Sequence, residues 1–230
     1  LKNKAPDTLN EEQLKEIEFR LRQGCEQLDL DLADSKYKQI LAYLNLLIRW
    51  NKAYNLTSVR DPFEMVDRHI LDSLSILPYV EGKNILDVGT GAGLPGMVLA
   101  IVREDQDYVL LDSNGKKTRF LTQVCLELGL KNVVVENSRI EKYQFDDCFD
   151  AILTRAFASL SEMLELSGHL LKSTTRILAM KAHILNDEIS TLPEGFIVDS
   201  VKSLQVPGLS ENRNLVVLRS KADNTARKIV

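Results

Sequence analysis

Ten residues constrain this chain more than any others: Asp87-Val88-Gly89-Thr90-Gly91-Ala92-Gly93-Leu94-Pro95-Gly96. Before them, Ile85-Leu86-Asp87-Val88 reads as a buried strand, and after them the pattern is helical through about Val102. Glycine is needed where the backbone turns tightly or must touch a ligand with no Cβ between them. A strand, a glycine loop and a helix in this order require an α/β fold with a parallel sheet. They also put the loop at the carboxyl ends of the strands, where such folds bind ligands.

The rest of the chain fits that frame. Further strands are expected at 108–112, 133–135, 149–153 and 176–180, with a helix carrying Phe120, Leu121, Val124 and Leu128 and stopping at Gly129. Segments 195–201 and 215–219 flank Pro207-Gly208 and Asn212 and read as a hairpin that adds an antiparallel strand. Before residue 80 the texture is helical. Asn10 caps a helix with Leu14, Ile17, Leu21 and Leu28, and a second helix from Asp34 or Ser35 carries Tyr37, Ile40, Leu41, Leu44, Leu47 and Ile48. A third starts at Asp61-Pro62, turns Met65, Val66, His69, Ile70, Ser73 and Leu77 inward, and ends at Pro78. The expected architecture is a doubly wound, Rossmann-like α/β sheet, mostly parallel with a C-terminal antiparallel hairpin. Residues 1–80 form an N-terminal helical segment and 81–230 the ligand-binding domain.

Composition bounds the function. With 230 residues, 44% hydrophobic and 27% charged, the chain can bury a sizeable core and is neither disordered nor fibrous. No apolar run reaches the roughly 18 residues of a membrane span, and Leu1 to Asn10 holds no signal-peptide core, so a cytoplasmic protein is expected. Cys25, Cys125 and Cys148 lie far apart and suit a reducing compartment. With His69, His169 and His183 equally scattered, no metal site is expected. Net charge is −4, and residues 1–35 hold five basic and nine acidic groups, which leaves the remainder neutral. A local basic face for RNA is compatible with that balance.

Two cofactors compete for the loop. Gly91-Ala92-Gly93-Leu94-Pro95-Gly96 matches the dinucleotide pattern G-x-G-x-x-G, and Asp112, 21 residues beyond Gly91, stands where a ribose-binding acid would suit NAD and an oxidoreductase. Read instead as Gly89-Thr90-Gly91-Ala92-Gly93 preceded by Asp87, the loop has the pattern of S-adenosylmethionine (SAM) methyltransferases. A carboxylate ahead of the loop suits an ammonium and a sulfonium, whereas it would repel a pyrophosphate. Asp112 serves the ribose in either case. The terminal hairpin also favours SAM. A ligand-free structural turn is disfavoured by three glycines in five residues.

Several longer segments carry a more specific resemblance. They are W-N-K-A-Y-N-L-T-S-V-R at 50–60, R-H-I-L-D-S-L at 68–74, the glycine loop, L-L-D-S-N-G-K-K-T-R-F-L at 110–121, S-R-I-E at 138–141, R-A-F-A-S-L at 155–160 and L-Q-V-P at 204–207. Over residues 35–220 the chain resembles the bacterial small-subunit rRNA methyltransferase G family, also called glucose-inhibited division protein B. The resemblance implies a class I SAM-dependent methyltransferase that methylates N7 of a guanine, position 527, in the 530 loop of 16S rRNA. The expected partner is 16S rRNA within the 30S subunit or its precursor, and a monomer is expected. Carried over residue by residue, it assigns SAM contacts to Gly89, Leu94, Ile140, Glu141 and Arg155, beside Asp87, Gly91 and Asp112 from the loop reading. After Lys181 the family commonly has glycine, and this chain has Ala182.

Guanine N7 already presents a lone pair, so no general base and no cysteine nucleophile are expected. Thr154-Arg155-Ala156-Phe157 stands where adenine amino-methyltransferases carry a D-P-P-Y-like segment. Arg155 is the candidate acceptor-side residue, bound to O6 or to the SAM carboxylate rather than to N7, with a helix-end salt bridge as the plainer reading. Phe157 is either a base-stacking platform or an ordinary core residue, and Lys181 either a phosphate contact or a solvated lysine. His69 and Asp72, three apart on one helix, read as a polar latch in preference to an acid–base pair, and Asn55 and Thr57 as caps. Lys116, Lys117, Arg119, Arg49, Lys52, Arg60, Arg68 and Arg213 are the basic residues available to line an RNA-binding rim.

Overall fold

The computed structural model describes residues 9–155, 159–183 and 186–221. Helix α1 (Glu11–Gln27) starts at a reciprocal cap. Asn10 Oδ1 accepts the Gln13 amide at 2.8 Å, and Gln13 Oε1 accepts the Asn10 amide at 3.1 Å. Helix α2 (Asp34–Tyr54) buries Tyr37, Ile40, Tyr43, Leu44, Leu47 and Ile48 and ends on Asn55, whose φ of 50° makes it the expected cap. Asp61 caps α3 (Pro62–Met65), accepting the Phe63 amide at 2.7 Å.

From there the structure departs from the single helix expected to run to Pro78. Val66–Leu71 widens into a π-helix, α4 (Asp72–Leu74) follows, and Pro78 lies in a separate 3-10 turn, Leu77–Tyr79. Asp67, His69 and Asp72 are all buried here. The wider turn sends each to its own partner: Asp67 to Arg20, His69 to Thr57, and Asp72 to Arg155 and Arg213.

The α/β part follows in the expected order: β1 (Asn84–Val88), α5 (Gly96–Val102), β2 (Asp107–Leu111), α6 (Gly115–Leu128), β3 (Val133–Glu136), β4 (Ala151–Thr154), α7 (Leu160–Ser167), β5 (Arg176–Lys181), α8 (Asn186–Ser190), β6 (Phe196–Leu204) and β7 (Arg213–Ser220). Among the described residues the strands form one sheet in the order β3-β2-β1-β4-β5-β7-β6. β1 to β5 pair in parallel, and β7 lies antiparallel between β5 and β6. The expected doubly wound sheet with its terminal hairpin is therefore present. β4 begins two residues later than the sequence suggests, and Phe149, just before it, stacks on Phe145 with ring centroids 4.2 Å apart.

Strand residues alternate between two apolar layers. Ile85, Leu110, Leu153, Leu178 and Val217 face the side covered by α2, α5 and α6. Leu86, Val109, Ile152, Ile177 and Leu218 face Leu160, Met163 and Leu164 of α7. The first layer runs without interruption from Leu9 to Val217, so the N-terminal helices share their core with the sheet. Residue 80 itself lies between the Leu77–Tyr79 turn and β1. No helix among the described residues is long and apolar enough to cross a membrane.

Candidate active site

The glycine loop leaves β1 at the point where strand order reverses, between β2 on one side and β4 on the other. Asp87 lies beneath it, fully buried. Thr90 Oγ1 donates to Asp87 Oδ2 at 2.6 Å, and the Gly96 amide donates to the same oxygen at 2.8 Å. One carboxylate oxygen thus ties the loop to the start of α5, while Oδ1 has no partner among the described residues. A Cβ on Gly96 would sit 2.8 Å from Asp87 Cβ, so only glycine allows this approach. Gly93, at φ 95°, is equally constrained: a Cβ there would lie 2.6 Å from Met97 Cβ. Burial pushes the Asp87 carboxyl up to about 6, against the opposing pull of its two hydrogen bonds.

Tyr43 of α2 holds the loop from its other side, its hydroxyl donating to the Ala92 carbonyl at 2.8 Å within the core. Asp112, just past β2, accepts the Gly91 amide on Oδ2 at 2.9 Å and the Asn114 amide on Oδ1 at 2.8 Å, with Lys117 Nζ 3.4 Å from Oδ2. Sequence reasoning gave Tyr43 no role, since nothing local to α2 signals a bond to a residue 49 positions away.

A pocket of about 380 Å³ opens over the carboxyl ends of β1, β2 and β3. Gly89, Asp112, Ile140 and Glu141 line it, together with Lys117 and Leu166. Four of the expected residues therefore meet at one wall. Asp87, Gly91 and Leu94 are not among the residues that line the pocket. Gly91 gives its amide to Asp112, and Leu94 is buried in the core with its amide bonded to the Thr90 carbonyl at 2.9 Å. The Gly96 amide is taken by Asp87, whose buried carboxylate would repel the pyrophosphate of the dinucleotide reading.

Arg155 lies elsewhere. It follows β4 and lines a second pocket of about 280 Å³ with Arg68, His69, Asp72, Lys181 and Arg213. Asp72 Oδ2 accepts from Arg155 Nη1 at 3.2 Å, and Asp72 Oδ1 from Arg213 Nε at 3.1 Å. Arg155 Nη1 also donates to the Arg68 carbonyl at 3.3 Å. His69 and Asp72 share this pocket, but each bonds to other partners. His69 Nε2 lies 2.8 Å from Thr57 Oγ1, and burial lowers its pKa to about 4, so the ring is neutral at physiological pH. Lys181 pairs with the half-buried Glu188 at 2.6 Å. Asn55 accepts from Arg60 at 2.6 Å. Cys125 is pushed up to about 11 by burial and is a poor nucleophile. Phe157 lies outside the described residues. The plainer reading of Arg155, a salt bridge, is met at Asp72, whereas nothing in the sequence signals that Arg213 pairs with the same carboxylate.

Comparison with known proteins places these features in context. The family model described as rRNA small subunit methyltransferase G matches residues 36–217. A ribosomal RNA small subunit methyltransferase G of Pseudomonas aeruginosa is 53% identical over 203 residues, 88% of this chain and 95% of that protein. Among solved structures, a SAM-dependent methyltransferase from Aquifex aeolicus aligns at 20% identity over 72% of this chain and 97% of its own, with a TM-score of 0.53. A mutant MtNAS in complex with S-adenosylmethionine aligns at 19% identity over 91% and 90%, with a TM-score of 0.52. At those identities the structural likeness concerns the fold.

Proposed function

Because the chain belongs to the rRNA small subunit methyltransferase G family, we propose that it transfers a methyl group from SAM to N7 of a guanine in the 530 loop of 16S rRNA. The observation that carries this reading is the pocket beside the glycine loop, bounded by the carboxylates of Asp112 and Glu141. Bound there, SAM supplies an electrophilic methyl group on a sulfonium. The pocket suits such a cation: Asp87 keeps an unpartnered oxygen beneath the loop, and its charge favours a positive group above. Asp112 retains lone pairs for ribose hydroxyls beyond those given to Gly91 and Asn114. Ile140 offers an apolar surface for a base, and the backbone at Gly89 forms the floor.

Guanine N7 needs no deprotonation, so the protein's work is alignment and exclusion of water. The second pocket, reached from β4 and β5, is the acceptor side of this reading. A neutral His69 and ion-paired Asp72 suit a site that moves no proton. A cytoplasmic monomer acting on the 30S subunit or its precursor completes the proposal. Calorimetry with SAM and with NAD, followed by labelled-methyl transfer to 30S subunits, tests it. SAM binding with transfer is expected; NAD binding without SAM binding would overturn it.

A further inference from the structure

We propose that Asp72 is a positioning residue that sets Arg155 and Arg213 as a two-guanidinium fork for a backbone phosphate next to the acceptor guanosine. The proposal rests on the rRNA methyltransferase reading and deepens its acceptor side.

Topology brings the fork to the right place. Arg155 follows β4, Arg213 opens the antiparallel β7, and both therefore stand at the same sheet edge as the glycine loop. Val88, which lines the first pocket, is the register partner of Thr154, the residue before Arg155. An anion held by the fork lies one strand away from the methyl donor's pocket.

Charge and donor count say what the fork takes. In this pocket Arg68 is answered by Glu211 at 2.5 Å and Lys181 by Glu188 at 2.6 Å. Arg155 and Arg213 share the single carboxylate of Asp72, which leaves one positive charge over, and His69 adds none. Asp72 is 4% exposed, whereas the side chains of Arg155 and Arg213 are 28% and 17% exposed, so the carboxylate forms the base and the guanidiniums face outward. Arg155 Nε and Nη2 and Arg213 Nη2 donate to no group among the described residues. Guanidiniums with spare parallel donors match phosphate oxygens. The π-helix just before Asp72 turns its carboxylate toward both arginines while Asp67 faces Arg20.

A positioning role and a diffuse-charge role predict opposite signs. Asp72→Asn adds net positive charge to the pocket. If charge alone mattered, RNA would bind more tightly; if Asp72 orients the fork, RNA binds less tightly. The test is equilibrium binding and steady-state methylation of 30S subunits by the full chain across a KCl series, with SAM affinity measured in parallel. For Asp72→Asn the expected result is a KM for 30S raised about tenfold with little change in kcat and a SAM Kd within about twofold. The slope of log affinity against log salt should fall by about one phosphate contact, roughly 0.7 to 0.9. Arg213→Lys keeps the charge and the Asp72 pairing but loses the fork; it should move in the same direction, and it carries the test if Asp72→Asn fails to fold.

Unchanged or tighter 30S binding would overturn the proposal, as would SAM affinity falling in parallel with RNA affinity. Weaker binding with an unchanged salt slope would move the fork to a base carbonyl and overturn the phosphate assignment. No methyl transfer by the unaltered protein would overturn both this proposal and the reading beneath it. Normal transfer with an unaffected Asp72→Asn variant overturns this proposal alone.

Discussion

At neutral pH the Asp87 carboxylate opposes folding while it organises the loop. Its carboxyl rises from 3.8 to about 6 on burial, which costs the native state on the order of 3 kcal/mol at about 1.4 kcal/mol per unit. The cost is complete above pH 6 and vanishes as pH falls through about 4, where both states are protonated. His69 works the other way: its pKa falls from 6.5 to about 4, so acidification from pH 6.5 protonates the unfolded chain first and native stability is lost. Asp87→Asn keeps one oxygen for Thr90 and Gly96 and removes the charge. It should melt higher than the parent at pH 8, with an advantage that shrinks toward pH 4.5. SAM binding should weaken about tenfold, the loss of one favourable charge interaction. Thermal melts at both pH values and calorimetry check this; an advantage that grows on acidification contradicts the burial argument. Asp87 and Asp112 were legible because a local motif holds them at fixed spacing. The Asp72–Arg213 pair spans 141 residues and leaves no such trace.

At the scale of elements, α2 is part of the site through Tyr43. Tyr43→Phe leaves the buried Ala92 carbonyl without its donor. It should cost about 1 kcal/mol of stability, speed amide exchange at Gly91 and Gly93, and weaken SAM binding several-fold. Loop exchange and SAM affinity both unchanged would show that α2 acts only as core. Most elements were readable from periodicity, since Asn10, Asp61 and Gly129 mark their ends with side chains or a φ of 65° that do the capping. The π-helix was not readable. Its residues are almost all buried, so the apolar pattern is the same whether the turn is tight or wide. Helix α7 has only eight residues, too few for its apolar spacing to stand out between two strands, although Ser159 caps it through the Glu162 amide at 3.1 Å.

For the whole molecule, sheet order decides the division of labour. With β1 between β2 and β4, the edge over β1, β2 and β3 holds the carboxylate-bounded pocket and the edge over β4, β5 and β7 holds the arginine-bounded one. The chain's net charge is −4, and on the proposed reading what the second pocket offers RNA is the one positive charge that Asp72 leaves over between Arg155 and Arg213. The chemistry expected at that rim is methylation of a base nitrogen that needs no activation. The most direct measurement is reaction of the protein and SAM with unmethylated 30S subunits, followed by borohydride reduction and aniline cleavage of the 16S rRNA, which breaks the chain at 7-methylguanosine. A single new break at a guanosine of the 530 loop, dependent on both SAM and protein, is expected. Methyl incorporation with no break there, or a break at another site, would contradict the proposed reaction.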